Sequence, residues 1–422
     1  MANKISTELL IMILNNVRSQ DLHSSSLVNR NWCKVAIPIL WELPLGQEWS
    51  KSDETLRKKA LCIRTYLSCM DIQARTFLTQ FGFDLSSSPP QVTFDYPSFT
   101  RKLIISNLLY FISIYSPQII SQKIIDSDQD NYNDINNKNE SSKLFREICK
   151  LIINRCSFLN YFKLASVPIN LSRNFDNYYD LFGSILKLPC AQKAFEKLET
   201  FASVTLNDEP VTKLISVQKR LENLSINASH HLDCDSLPWA IISQKGTLKS
   251  LRLKSMSFNY FKGKPSAIGQ FISLQKLYIE NCHGLCLSLA SSFTQLNSFH
   301  YFHSSNLFDM YPQEFVIKIL ETANTNLKNI CLEFYPTITF NTLSAILNYS
   351  ESVPGSLETI EIRMGSFSAD SLRKFFERWC CKGRGGNKKF ILKRTELAQL
   401  FTLSDEHFKV IEEYGVQFDM EE

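Results

Sequence analysis

The sequence predicts a mixed α/β protein in three parts: a module of three short helices at residues 1–45, a helical linker region at 46–141, and a solenoid of stacked repeats with a curved parallel sheet at 142–422. Three observations lead to this prediction. Apolar residues recur at helical spacing near the N-terminus, and a short leucine phrase recurs at near-regular intervals in the C-terminal part. A hydrophobic content of 44% is enough to bury a sizeable core, and 422 residues are long for one core alone.

Composition and charge argue against several classes of protein. Lysine plus arginine number 46 against 42 acids, and the net charge of +4 is too small to indicate nucleic acid or an anionic membrane by itself. Glycine numbers only 13, which excludes a collagen-like architecture. The chain shows no signal-peptide pattern and no uninterrupted apolar stretch of the roughly 18–20 residues that a membrane span needs. We therefore expect a protein of the cytoplasm, the nucleus or both, without a membrane partner.

The chain contains 12 cysteines, which in a reducing compartment are expected to be small buried hydrophobes. Cys282, His283 and Cys286 are closely spaced, but they do not belong to the pair of two-cysteine clusters that a structural zinc site needs. His300 and His303 lie three apart in a predicted strand, so their side chains point to opposite faces. No metal and no cofactor are expected.

The N-terminal module is predicted from helical spacing and capping residues. Ser6 or Thr7 can cap a first helix over residues 7–17, and Ser19 can cap a second one. A third short helix carries Trp32 and is disturbed or ended by Pro38. Three short helices in about forty residues cannot enclose their own apolar side chains, so the module is predicted to need a partner.

The linker region has apolar residues at helical spacing over 51–83 and 101–115, separated by turn-forming serine and proline at 86–91. The segment 126–142 is rich in asparagine and has five acids against one lysine, so it predicts a solvated loop. It lacks the ligand spacing and the central glycine of a calcium-binding loop.

From residue 198 a phrase of the form LxxLxL, with isoleucine or phenylalanine substituting, recurs seven times. The copies begin at residues 198, 221, 248, 274, 296, 327 and 357, and an earlier copy begins at 159. Each copy predicts one short strand with its leucines inward, followed by a helical or irregular return. No such unit is stable alone, but stacking buries a continuous core. An ordinary α/β domain with a parallel sheet is the alternative, although it does not require the same phrase at every strand.

Residues between the leucines of each strand point away from the core and are predicted to line the concave face of the solenoid. Their mixture of charges, aromatic rings and a thiol suits recognition of a target protein, and a face that is merely solvated stays the alternative. The predicted target-binding residues are Arg252, Lys254, Tyr278, Glu280, His300, Phe302, Cys331, Glu333, Glu361 and Arg363.

Motifs for catalysis are missing from the sequence. The sequence lacks GxSxG, HExxH, GxGxxG after a strand and CxxC, so no motif indicates an enzyme. The segment 381–394 carries six positive residues and three glycines but lacks the GxxxxGK[ST] pattern of a phosphate loop. A solvated loop leading into the last strand, KKFILK, is the favoured interpretation, and a nuclear-localisation or nucleic-acid patch is the alternative.

The stretch ISTELLIMILNNVRSQDLHSSSLVNRNWCKVAIPILW at residues 5–41 resembles an F-box. It matches that family's run of LPxELLxxIL, then a DL step, then LVxRxW, then a terminal LW. One departure is Ile5-Ser6, where the family commonly has Leu-Pro. The remainder of the chain is similar to the leucine-rich-repeat class of F-box proteins.

The resemblance implies that the F-box docks on a Skp-type adaptor, which links it to a cullin scaffold in an SCF-type ubiquitin ligase. The repeats would recruit an unidentified protein for ubiquitination, and the chain itself would do no chemistry. A repeat scaffold that binds a partner without any ligase is the alternative. Trp41 is expected to pack the module against the residues C-terminal to it. The adaptor contacts or their immediate support would be Ile5, Leu9, Leu10, Leu14, Leu22, Leu27, Val28 and Trp32.

Overall fold

The computed structural model describes most of the chain, with gaps between and within its elements. The described residues are 5–46, 53–85, 92–119, 130–164, 183–205, 208–228, 236–258, 270–303, 312–323, 326–334, 344–346, 348, 357–363, 369–381, 389–394, 404–414 and 417–420. No helix within these ranges is both long and apolar enough to cross a membrane.

Contacts divide the chain into two compact units, the first made of residues 1–203 with 217–220 and the second of 204–216 with 221–422. Both contain helices and parallel strands, so the predicted mixed α/β class is confirmed. The limits predicted after residues 45 and 141 do not coincide with this division and remain predictions.

The first unit begins with three helices that are defined by their caps. They are α1 (Thr7–Asn15), α2 (Ser19–Ser26) and α3 (Arg30–Leu40). Ser6 caps α1, because its Oγ accepts a hydrogen bond of 3.3 Å from the backbone N–H of Leu9. Asn29 Oδ1 accepts from the N–H groups of Asn31 and Trp32 at 2.9 and 3.0 Å and so starts α3. α3 passes through Pro38 and ends two residues later.

The rest of the first unit is mainly helical, with three short parallel strands. Its helices are α4 (Asp53–Ser68), α5 (Ile72–Gln80), α6 (Ile105–Ile119), α7 (Asp130–Arg155) and α8 (Ala191–Phe195), with a 3-10 turn at Tyr96–Phe99. Its strands are β1 (Lys102–Ile104), β2 (Tyr161–Leu164) and β3 (Thr200–Thr205), which pair in parallel in that order. The core of this unit includes Ile63, Tyr66, Leu108, Ile112, Ile148 and Ile152.

The solvated loop predicted for 126–142 is wrong from Asp130 onward, where α7 begins; residues 126–129 lie outside the described ranges. The C-terminal half of α7 buries Leu144, Ile148 and Ile152. Once this apolar half is held by packing, each further residue adds a backbone hydrogen bond without a new nucleation cost. A polar, asparagine-rich stretch can therefore continue a helix that its own composition does not predict.

The second unit repeats a strand and a return segment in chain order. Its strands are β4 (Asn223–Ala228), β5 (Ser250–Lys254), β6 (Lys276–Glu280), β7 (Ser298–His303), β8 (Asn329–Phe334), β9 (Thr359–Arg363), β10 (Lys389–Arg394) and β11 (Gln417–Met420), and each pairs in parallel with the next. Its helices are α9 (Asp208–Ser216), α10 (Ser236–Ser243), α11 (Leu287–Ala290), α12 (Pro312–Thr322), α13 (Ala369–Cys381) and α14 (Asp405–Glu413).

All eight copies of the leucine phrase lie on strands, from β2 through β9, as predicted. The strand predicted at KKFILK is β10, although β11 follows it. β1 and β11 carry no copy of the phrase and were not predicted. The basic segment predicted as a loop, at 382–388, lies outside the described residues.

A backbone hydrogen bond repeats at the start of each strand from β5 to β10 and joins that point to the start of the preceding strand. The N–H of Lys249 donates to the carbonyl of Glu222 at 2.8 Å, and the N–H of Gln275 donates to the carbonyl of Lys249 at 2.8 Å. We call this series the turn ladder. It continues through Asn297 to Gln275, Lys328 to Asn297, Glu358 to Lys328 and Lys389 to Glu358.

Candidate functional site

The three helices α1–α3, here called the three-helix module, enclose a small core of their own, so the expectation that they cannot enclose their apolar side chains is wrong for part of that set. Leu10, Leu14 and Leu22 are fully or almost fully buried in it together with Val35 and Ala36. The core is thus built from three of the residues predicted to contact an adaptor or support those contacts. Their burial places them inside the module rather than on its surface.

Trp32 is half-buried and packs against the edge of this core. Trp41 lies at the end of α3, with its ring 5.6 Å from that of Tyr66 and 4.4 Å from that of Tyr96. The hydroxyl of Tyr66 is itself buried and lies 3.0 Å from Thr100 Oγ1. The expectation that Trp41 packs the module against the residues C-terminal to it is therefore confirmed.

The remaining predicted adaptor residues are exposed aliphatic side chains. Ile5 is 40% exposed and Leu9 is 49% exposed, both at the start of α1. Leu27 and Val28, at the connection between α2 and α3, are 75% and 60% exposed. We call these four residues the aliphatic set. Each leaves apolar surface in water although the core beside it is complete.

α1 also exposes Ile11, Met12 and Ile13, which the prediction did not include among the adaptor residues. Only Leu10 and Leu14, one turn apart, face the core of the module. An α-helix that is apolar beyond its core-facing stripe has more hydrophobic surface than its own unit can bury. The apolar run Leu9–Leu14 was the clue in the sequence, because it is too long for one stripe.

A second candidate surface lies on strands β5–β9, on the side that carries the residues between the buried leucines; we call it the outward face. Its middle row is set by the strand register, in which each residue pairs with the next. The row is Arg252, Tyr278, His300, Cys331 and Glu361. The neighbouring row runs through Lys254, Glu280, Phe302, Glu333 and Arg363.

Aromatic rings stack at the centre of the outward face. The rings of Tyr278 and His300 lie 3.8 Å apart between centroids and only 10° from parallel. The ring of Phe302 lies 6.4 Å from each of them. The guanidinium of Arg252 lies 5.3 Å from the centre of the Tyr278 ring, within the range of a cation–π interaction. These contacts hold three aromatic side chains and one cation in fixed positions.

Charges on the outward face are partly paired. Glu280 forms ion pairs with both Lys254 and Arg252, the latter with 3.6 Å between Nη2 and Oε2. Ser298 Oγ lies 3.0 Å from Nε2 of His300, so a hydrogen bond also fixes the imidazole ring. Lys276, which the strand phrase also predicts on this side, is exposed at the start of β6 and adds a further cation.

Two of the predicted outward residues differ from the rest. Cys331 lies in the middle row, but its side chain is 3% exposed, so the thiol offers no surface to a partner. The side chain of Cys331 is shorter than those of its in-register neighbours His300 and Glu361, and these larger side chains cover it. Arg363 pairs in register with Glu333, and its side chain lies outside the described part of the chain.

Several cysteines of the first unit lie in its interior. Burial raises the pKa of the Cys69 thiol and of the Cys156 thiol to about 11, and it raises the pKa of Cys149 as well. A raised pKa keeps a thiol neutral near pH 7, and a neutral thiol is a poor nucleophile and a poor metal ligand. Across the described ranges, no group of three or more His, Cys, Asp or Glu side chains is arranged to hold a metal ion.

Comparison of the sequence with models of known protein families finds no match, and comparison with curated protein sequences finds none either. The aliphatic set and the outward face are therefore interpreted from their own chemistry.

Proposed function

We propose that this chain is a substrate-recognition subunit of an SCF-type E3 ubiquitin ligase. The three-helix module would be an F-box that binds a Skp-type adaptor, and the repeats would form a leucine-rich-repeat solenoid that binds a target protein. In this role the chain catalyses nothing and needs no cofactor. It raises the effective concentration of a target lysine near a ubiquitin-charged partner, in the cytoplasm or nucleus.

The observation that carries the proposal is the exposure of the aliphatic set beside a completed core. These four positions are among the eight that the F-box resemblance assigns to adaptor contact or its immediate support. Scattered exposed aliphatics are common on protein surfaces, but four on one module of three short helices are the pattern expected of half an interface. The Ser6 cap also supports the proposal, because it starts α1 at the point where the family commonly has proline.

The proposed solenoid is supported by the order of the strands in the second unit. Every strand from β4 to β11 pairs in parallel with the next one along the chain, and the turn ladder joins one repeat to the next. A doubly wound α/β domain reverses its strand order at a switch point. Sequential order with the same phrase on each strand is what a stack of repeats requires.

The proposal is tested by co-expressing the full-length chain with a Skp-type adaptor and measuring the affinity of the purified pair. Leu27→Asp with Val28→Asp is expected to weaken adaptor binding by about 100-fold or more, since it places two charges in an apolar contact. Both side chains are exposed, so the fold should be unaffected.

The matched control is Ile72→Asp with Val217→Asp, which changes two aliphatic residues that are 80% and 58% exposed away from the module. This variant is expected to bind the adaptor as the wild type does. If the wild-type chain binds no adaptor, or if the Leu27/Val28 variant binds as tightly as the control, the proposal is wrong. Capture of other proteins through the repeats without the adaptor would then favour an interaction scaffold.

A further inference from the structure

Positive charge exceeds negative charge at one end of the outward face. On β5 and β6 it carries Arg252, Lys254 and Lys276, which we call the cationic end, and the acid among them is Glu280. Three cations and one acid leave a formal charge of +2. The in-register residues on the flanking strands β4 and β7 carry no formal charge at pH 7. They are Asn223, Ser225, Asn227, Ser298, His300 and Phe302.

The single acid compensates the three cations unequally. Glu280 stands in register with Lys254 and pairs with it, and it also reaches Arg252, with 3.6 Å between Oε2 and Nη2. Lys276 lies four residues before Glu280 on the same strand, a distance of about 13 Å. The exposed side chain of Lys276 makes no ion pair with any residue in the part of the chain that the structure describes. Positive charge is therefore least compensated between Lys276 and Arg252.

The spacing of these two cations matches that of alternate residues in an extended chain. Lys276 is in register with Ser250, so it lies one strand and two residues away from Arg252. A strand spacing of about 4.8 Å and a rise of about 3.3 Å per residue place their Cα atoms about 8 Å apart. In an extended segment, side chains two positions apart point to the same side and lie about 6.6 Å apart. The long side chains of lysine and arginine can take up the small difference.

The guanidinium of Arg252 is held in position before any partner binds. It lies 5.3 Å from the centre of the Tyr278 ring, which in turn stacks on His300. The side chain is still 55% exposed, and a guanidinium has five N–H donors, of which the contact with Glu280 uses few. A cation fixed in this way loses less entropy when it binds a carboxylate.

We propose that the cationic end of the outward face binds an extended acidic segment of the target protein, in which one residue separates two acids. One carboxylate lies at Lys276. The other lies at Arg252, where the planar guanidinium suits a bidentate contact. This inference rests on the proposed function, because it names the class of target that the repeats recognise.

The aromatic contacts favour a protein segment over a single-stranded nucleic acid. A nucleic acid gains affinity from bases that stack on open aromatic rings. The ring of Tyr278 has Arg252 from β5 on one side and His300 from β7 on the other, so both of its faces are covered. A phosphate backbone also carries a charge at every nucleotide and would meet Glu280, whereas a protein segment can place a neutral residue there.

The remainder of the outward face does not favour a basic segment. Glu333 and Glu361, on β8 and β9, make interactions of their own. On β10, Lys389 and Lys393 stand in register beside β9 and add further cations. An acidic segment is therefore the occupant that the charges of this face support.

The test uses the full-length chain and fluorescence anisotropy at low ionic strength, with labelled nine-residue peptides of serine and glycine. The first peptide has aspartate at its fourth and sixth positions. A second has aspartate at its fourth and fifth, so it carries the same charge with its acids on opposite sides of an extended chain. A third has asparagine at positions four and six. The first is expected to bind at least about fivefold more tightly than the second and about tenfold more tightly than the third.

Charge reversal of the two cations should reverse the preference rather than only weaken it. Lys276→Glu with Arg252→Glu is expected to bind a peptide with lysine at positions four and six more tightly than the aspartate peptide. Lys276→Gln should lower the affinity for the first peptide without reversing the preference. The matched control is Lys187→Glu, which reverses an exposed lysine outside the sheet and should leave peptide binding unchanged. Circular dichroism checks that each variant keeps its fold.

Equal binding of the first three peptides, or a loss in Lys187→Glu as large as that in Lys276→Gln, would overturn the inference. So would a dimer of this chain that the double reversal dissociates, because the face would then bind a second copy. A single-stranded oligonucleotide that binds more tightly than the first peptide and is lost in the double reversal would overturn it too.

Adaptor affinity is measured on the same variants and should not change. Absence of the peptide preference with adaptor binding retained overturns this inference alone. Peptide preference without any adaptor binding overturns the proposed function alone.

Discussion

The three-helix module and the outward face differ in what they leave exposed to water. The module completes a core of five buried residues and still presents the aliphatic set, which has no polar atom in its side chains. The outward face presents charged and aromatic side chains that contact one another through the Arg252–Tyr278–His300 row and the Glu280 ion pairs. One surface is apolar and the other is polar and preorganised.

This difference teaches that the two surfaces suit different kinds of recognition. Burial of aliphatic side chains stabilises a complex in rough proportion to the apolar area removed from water and is not screened by salt. Contacts between exposed charges weaken as ionic strength rises. A constant partner fits the first surface, whereas selection among many partners by their charge pattern fits the second.

The largest effect is expected on stability, when a buried residue of the module is changed and compared with an exposed one. Leu14→Ala should lower the free energy of unfolding by about 2–5 kcal/mol, because it removes a fully buried side chain from a small core and leaves a cavity. Leu27→Ala, at an exposed position, should change it by less than about 0.5 kcal/mol. Urea unfolding followed by tryptophan fluorescence measures both. Equal losses in the two variants would mean that Leu27 belongs to the core, and the distinction between core and aliphatic set would fail.

The next effect concerns the buried thiols of the first unit. A pKa of about 11 for Cys69 and Cys156, against an ordinary 9.0, lowers the thiolate fraction at pH 8 by about 100-fold. Alkylation of these thiols by iodoacetamide should be slower in the native chain than in the urea-unfolded chain by at least this factor, as mass spectrometry can show. Since the unfolded chain ionises these thiols first, the free energy of unfolding should fall as the pH rises from about 9 to 11. Alkylation of Cys156 as fast as in the unfolded chain would show that the first unit is open.

The smallest effect is expected on the outward face. A double-mutant cycle of Tyr278→Leu and His300→Leu should give a coupling free energy of about 0.5–1.5 kcal/mol, the usual contribution of a stacked aromatic pair beyond its buried area. Unfolding by urea supplies the four free energies. A coupling near zero would mean that the two rings are not held together, and the face could no longer be called preorganised.

Much of the fold could be predicted from local pattern, and the exceptions have physical causes. The leucine phrase identifies β2–β9, because the same alternation must recur wherever the same inward contacts recur. β1 and β11 lack the phrase, so they could not be predicted from it. The N-terminal half of α7 is helical because it extends the C-terminal half, which is held by packing.

The candidate surfaces could also be predicted only in part from the sequence. Alternation identifies the outward side of each strand, and the F-box resemblance includes the aliphatic set among its eight positions, but neither predicts which side chains are exposed. Leu10 and Leu9 are adjacent in the chain and have opposite environments because only one of them faces α3. Cys331 has an outward position and a buried thiol because its in-register neighbours are larger. Such differences depend on packing between elements that a single sequence does not specify.

The turn ladder has a consequence for how freely this chain can change in length. It fixes the residues at the start of strands β5–β10, while the return segments set an interval of 22 to 31 residues between successive copies from residue 198 onward. The entropy of closing a flexible loop grows only with the logarithm of its length, so this range changes the closure free energy by about 0.3 kcal/mol. Insertions and deletions in parts of the returns outside the helices should therefore be nearly neutral for stability, whereas a one-residue shift inside the turn ladder would turn the side chains of the following strand to its wrong face.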